Sequence, residues 1–159
     1  MIDRLYSWRD GLLASRKFQR AAAAFPLTRP IARTQAQSLF DLCAGFVYSQ
    51  VLLSVVRLGL HDHLAERPRT AAEVSQLCEL ALEPCTRLLD AAVALKLLSR
   101  RSGARYGLGM LGAALRANPG AIAMVEHNAI LYADLTNPIA LMRTNRPATR
   151  LGEYWSYAR

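Results

Sequence analysis

The chain has 159 residues, 52% of them apolar, which suits one sizeable core and argues against two full domains. Its 20 basic and 12 acidic side chains leave a net charge of +8, which admits an anionic partner without requiring one. Cys43, Cys78 and Cys85 lie in apolar helical patterns at spacings of neither a disulfide framework nor a zinc ligand set, so buried free thiols and a reducing, cytoplasmic setting are expected.

Residues 1–33 hold seven basic side chains against two acidic ones. Leu5, Trp8, Leu12, Leu13, Phe18 and Phe25 alternate there with Arg4, Arg9, Arg16, Lys17 and Arg20. This reads as a basic amphipathic helical extension that breaks near Ala14-Ser15. It either docks on its own domain or touches an anionic membrane surface through residues 4–25. The opening Met1-Ile2-Asp3-Arg4-Leu5 lacks the layout of a secretory signal.

Thr34 is positioned to cap a long helix reaching about Leu58, with Gly59 as its left-handed stop. The apolar run Leu39–Leu60 contains Asp41, Gln50 and Arg57, short of the roughly 20 clean residues of a membrane span. Its apolar positions fall on two stripes. Leu39, Leu42, Phe46, Leu53 and Val56 form one; Phe40, Cys43, Val47, Val51 and Val55 form the other. The second stripe is predicted to be a homodimer interface, because an apolar face of this length needs cover. The alternative cover is the segment Leu5–Phe25 of the same chain.

From Thr70 to Gly112 the signals follow the order of a winged helix. Thr70-Ala71-Ala72-Glu73 is a capping box. Glu83-Pro84 starts a second helix, and Leu88, Leu89, Ala92, Leu95 and Leu98 recur behind it at helical spacing. Ser99 to Tyr106 then reads as two short arms around a Ser-Gly turn, the wing. As a DNA reader the predicted helix Pro84–Leu98 is poor: it offers Arg87 and Lys96 against Asp90, and its other positions suit burial nearly all round. The wing arginines Arg100, Arg101 and Arg105 are the dissenting feature. Gly107-Leu108-Gly109-Met110-Leu111-Gly112 satisfies G-x-G-x-x-G, but a polar, arginine-rich arm precedes it where a dinucleotide loop needs a buried strand.

Asn118-Pro119-Gly120 opens a further helix, and Asn137-Pro138 interrupts or ends it. Met124, His127, Leu131 and Leu135 share one stripe, and Ile122, Val125, Ala129 and Tyr132 share its neighbour. Tyr154, Trp155 and Tyr157 in the run Tyr154-Trp155-Ser156-Tyr157 are aromatics that call for a packing partner. His61 and His63, two residues apart on a helix, point in different directions and do not suggest a metal site. The fold expected is mainly α: a basic helical extension (1–33), a winged helix-turn-helix domain with a small β-hairpin wing (34–115), and a helical segment (116–159).

Gly59-Leu60-His61-Asp62-His63-Leu64, the Thr70 capping box, Arg87-Leu88-Leu89-Asp90 and Tyr106-Gly107-Leu108 resemble the N-terminal dimerisation domain of S-adenosylmethionine-dependent O-methyltransferases. Leu39 to Gln50 and Met124-Val125-Glu126-His127 are similar to the bacterial carotenoid enzymes acting on hydroxyneurosporene or demethylspheroidene. The resemblance implies a winged helix that interlocks two subunits and walls the acceptor pocket instead of reading DNA. It implies a carotenoid acceptor lined by Met124, His127, Asn128, Leu131 and Tyr132. A separate Rossmann-like domain, expected beyond Arg159, would bind S-adenosylmethionine and carry the catalytic base, so this chain alone is expected to be inactive. Gly109 stands where the family commonly has a capping threonine. The competing expectation is a stand-alone winged-helix regulator of transcription.

Overall fold

The computed structural model describes residues 2–143 and 149–154. The chain divides into two compact units, residues 1–46 and 47–159.

The first unit is helical. α1 (Ile2–Ala14) and α2 (Arg16–Ala24) meet at Ser15, whose extended backbone and side-chain oxygen begin α2, the latter accepting the Phe18 N–H at 3.5 Å. The Thr28 hydroxyl donates to the Ala22 carbonyl at 2.7 Å, tying the end of α2 to the turn before α3 (Arg29–Arg57). The start of α3 corrects the sequence reading. Thr34 lies inside the helix, its hydroxyl bonded back to the Pro30 carbonyl at 3.1 Å. Pro30 is the actual start signal, since a first-turn proline removes only an N–H that would have no partner. Neither α1 nor α2 buries a residue.

The second unit begins within α3 and continues through α4 (Leu60–Glu66), β1 (Arg69–Thr70), α5 (Ala71–Leu77), α6 (Leu82–Ala94), β2 (Leu98–Arg101), β3 (Arg105–Leu108), α7 (Met110–Arg116), α8 (Pro119–Asp134), α9 (Pro138–Arg143) and α10 (Arg150–Tyr154). Gly59 turns the chain between α3 and α4 at φ 61°, the left-handed conformation that only a residue without Cβ adopts cheaply. The capping box forms in full. The Thr70 hydroxyl accepts the Glu73 N–H, and the Glu73 carboxylate accepts the Thr70 N–H at 2.7 Å.

α6 stops earlier than predicted. Its cap is Leu95, and Lys96 takes φ 59°. The Lys96 N–H bonds to the Val93 carbonyl and the Leu97 N–H to the Ala92 carbonyl, the paired bonds of a Schellman stop. Such stops usually carry glycine; a lysine gives no punctuation, so the leucine spacing overruns the true end. Leu98 therefore opens β2 instead of closing a helix. The sheet is antiparallel with order β1-β3-β2, and its strand β1 was not foreseen. The wing turns through Gly103 (φ 68°) and Ala104 (φ 53°).

Two buried clusters organise this unit. Val51, Val55, Leu60, Leu64, Val74, Cys85, Leu89, Ala92, Leu97, Leu98 and Tyr106 form the winged-helix core. Leu53, Val56, Leu115 and Val125 form a second one, with Ile122 and Ala129 packed on it. By length and composition α3 meets the criterion for a membrane span, contrary to the sequence reading. Burial of Val51, Leu53, Val55 and Val56 assigns that end of the helix to packing within the chain. The three cysteines are free, but only Cys85 is buried; Cys78 is half-buried and Cys43 is exposed, correcting the expectation of three enclosed thiols. Burial raises the pKa of the Cys78 and Cys85 thiols, which keeps them protonated.

Candidate functional site

α6 occupies the place of a recognition helix, and its surface is closed by ion pairs. Cys85, Leu89 and Ala92 face the core. On the other side Glu83 pairs with Arg87 at 3.2 Å. The Asp90 carboxylate accepts from the Arg100 guanidinium at 2.6 Å and from the Tyr106 hydroxyl at 2.8 Å. Arg100 also lies over the Tyr106 ring, 4.9 Å from its centroid. Burial, followed by the bond to Asp90, raises the Tyr106 pKa and holds the phenol protonated as the donor. One wing arginine is thus spent on the domain itself, and α6 presents no row of free donors for base edges.

The G-x-G-x-x-G run is a packing device. The Gly109 N–H donates to the Leu97 carbonyl at 2.9 Å and the Leu111 N–H to the Lys96 carbonyl at 3.0 Å. Amides at the start of α7 that a phosphate would need are therefore taken. A Cβ on Gly109 would lie 2.6 Å from the Leu98 carbonyl oxygen, and one on Gly112 would overlap the Leu97 carbonyl oxygen. These glycines let α7 ride against the chain between α6 and β2. The residues described here do not fit S-adenosylmethionine at this loop.

The predicted interface set is divided by the structure. Val51 and Val55 are enclosed by their own chain, so they serve the core and are not available to a second copy. Phe40, Cys43 and Val47 are exposed. Leu39, Leu42 and Phe46, which sequence spacing placed on the other stripe, are exposed with them, Leu42 at 80%. Residues 39–47 thus carry a broad apolar surface instead of the narrow stripe predicted.

The acceptor-side candidates lie on α8. Asn118 starts that helix by accepting the Ala121 N–H at 3.1 Å. Val125 and Ile122 turn one face to the second core. His127, Asn128, Leu131 and Tyr132 are half-buried, whereas Met124 is exposed. α10 packs along α8, and Asp134 accepts the Arg150 and Leu151 N–H groups at 2.9 Å each. This brings the Tyr154 hydroxyl to 3.0 Å from His127 Nε2, with the rings edge-on at 5.2 Å. Sequence reasoning did not place Tyr154 beside His127. Its only signal was an aromatic in need of a partner; Trp155, Ser156 and Tyr157 of the same run lie outside the described residues.

His61 is buried and its Nδ1 has no hydrogen-bond partner among the described residues, while Nε2 lies 3.5 Å from Asp62. Asp62 in turn accepts from Arg116 at 2.9 Å, linking α4 to α7.

Comparison with known proteins agrees with this geometry. Residues 40–118 match the family described as the O-methyltransferase dimerisation domain. The chain is 40% identical over 146 residues, 92% of its length, to a demethylspheroidene O-methyltransferase of Cereibacter sphaeroides. It is 34% identical over 143 residues, 90% of its length, to the protein of the same name in Rhodobacter capsulatus. It spans 38% and 36% of the lengths of these two relatives. Among solved structures, the N,N-8-amino-8-demethyl-D-riboflavin dimethyltransferase of Streptomyces davawensis superposes with a TM-score of 0.61 at 28% identity, covering 78% of this chain and 39% of that one.

Proposed function

The chain belongs to the O-methyltransferases through its dimerisation domain, and on that premise we propose that it is the pairing and acceptor-side part of an S-adenosylmethionine-dependent enzyme that methylates a hydroxylated carotenoid. The observation that carries the reading is the 40% identity over 92% of the chain to a protein named for demethylspheroidene.

The chemistry of the surfaces supports it. Leu39, Phe40, Leu42, Phe46 and Val47 are exposed on a stretch that largely falls within the family match. Covering them with a second copy removes a large apolar area from water, at roughly 25 cal/mol per Å². A polyene acceptor needs an apolar wall with few polar groups. Leu131 and Met124 supply the wall on α8, and His127, Asn128 and Tyr132 supply donors and acceptors able to orient a hydroxyl group. S-adenosylmethionine would bring the electrophilic methyl group from a site that these residues do not form. The role of this chain is shape, pairing and exclusion of water.

The setting proposed is cytoplasmic, with α1 resting on an anionic membrane surface. Ile2, Leu5 and Trp8 border an open apolar recess beside Arg4, a grouping suited to the lipid headgroup boundary.

Light scattering during size exclusion tests the pairing. The wild-type chain is expected to run at twice its 17.6 kDa mass, and Phe46→Glu with Val47→Glu is expected to run as a monomer with unchanged helical circular dichroism. A wild-type monomer at micromolar concentration overturns the reading.

A further inference from the structure

The wing carries an arrangement that the pairing role leaves unused. Arg101 and Arg105 are direct partners across the β2–β3 ladder, so both side chains leave the same face of the sheet. Tyr106, one residue on, is buried on the opposite face. Like charges placed opposite one another destabilise a strand pair, and here a third guanidinium is added from Arg67. Together with Pro68 and Ser102 these arginines line an open notch of about 320 Å³.

Among the described residues, two of the three guanidiniums have no carboxylate to neutralise them. Arg67 is paired with Glu73 at 2.8 Å, but neither Arg101 nor Arg105 forms an ion pair among the described residues. Arg100, their neighbour, is different: it is paired with Asp90. Arg101 is also held in place, donating to the Leu108 carbonyl at 3.0 Å. Gly107 gives it passage, because a Cβ there would lie 3.0 Å from Arg101 Nε.

We infer that the notch between Arg67, Arg101 and Arg105 is a binding site for phosphate groups. A tetrahedral oxyanion accepts several guanidinium N–H bonds at once and would relieve the cross-strand repulsion. Ser102 lines the same notch, and a serine hydroxyl is a neutral donor. The source of the phosphate is either a small soluble phosphate ester or the headgroup of an anionic lipid, and both present the same chemistry to this notch.

The test titrates the full chain with pyrophosphate in chloride buffer of low ionic strength, by calorimetry, and pellets it with phosphatidylglycerol or phosphatidylcholine vesicles. Saturable pyrophosphate binding is expected, at least tenfold weaker in the Arg101→Ala, Arg105→Ala double variant and unchanged in Arg87→Ala. Pelleting with phosphatidylglycerol that the double variant loses assigns the phosphate to lipid; soluble binding without such pelleting assigns it to a free ester. A second readout guards against misfolding: in phosphate-free, low-salt buffer the double variant should melt at a higher temperature than wild type, because the repulsion is gone. Pyrophosphate is the deciding probe, because α1 can carry the chain to anionic vesicles by itself: absence of saturable pyrophosphate binding, or equal pyrophosphate binding by the double variant, overturns the inference.

Discussion

The two units differ less in composition than in what their apolar residues touch. In the second unit Val55, Leu60, Cys85 and Leu89 are wholly enclosed, whereas in the first Ile31, Leu39 and Leu42 expose between 61% and 80% of their surface. Both stretches are helical. The difference teaches that forming a helix and burying its apolar face are separate events: the first depends on caps and spacing along the chain, the second on a partner. In the second unit the partners come from the same chain through Gly59, the capping box and the wing.

Replacing an enclosed leucine gives the largest test of that contrast. Leu89→Ala should cost about 2–5 kcal/mol, read by urea unfolding, while Leu42→Ala at concentrations favouring monomer should stay within about 0.5 kcal/mol. Equal costs at the two positions would abolish the distinction.

Glycines sharpen it next. Gly112→Ala forces a methyl group into the Leu97 carbonyl and should cost about 1–3 kcal/mol. Outside the neighbouring backbone of α1, an added Cβ on Gly11 meets no atom of the described residues within 4 Å, so Gly11→Ala should instead raise stability by roughly 0.5–1 kcal/mol through helix propensity. Melting temperatures of the two variants should move in opposite directions.

The smallest effect concerns the capping box. The Thr70 N–H, then the Arg67 guanidinium and the Thr70 hydroxyl, hold the Glu73 carboxyl at about 2, below its ordinary 4.5. A carboxyl with a lowered pKa contributes stability that is fully present above about pH 4.5 and is lost as the pH falls toward 2. The melting-temperature gap between wild type and Glu73→Gln should be constant above pH 4.5 and close below it. A gap independent of pH would mean that the charge of Glu73 contributes nothing.

Much of the second unit was legible because its signals are local. Thr70 and Glu73 are three residues apart, Asn118 caps the helix that Pro119 begins, and Gly59 stops α3 by its own φ. Each device is complete within a single turn of chain. The end of α6 was not legible, because Lys96 performs a glycine's task, and the two residues of β1 become a strand only by pairing with β3. On α8, the stripe of Ile122, Val125 and Ala129 that packs on the second core was legible from its spacing. The approach of Tyr154 to His127 was not, because it depends on α10 packing along α8.

By itself the sequence determined the helices that Thr70 and Asn118 begin, the wing and its turn, and a family likeness carried by contiguous motifs. These depend on interactions among near neighbours, whose geometry follows from residue order. Only the tertiary structure decided which half of the α3 stripe is enclosed, that the glycine run is filled by the carbonyls of Lys96 and Leu97, and that, among the described residues, Arg100 has a carboxylate partner while Arg101 and Arg105 have none. Those outcomes are set by partners distant in the chain, and no periodicity records which of them will meet.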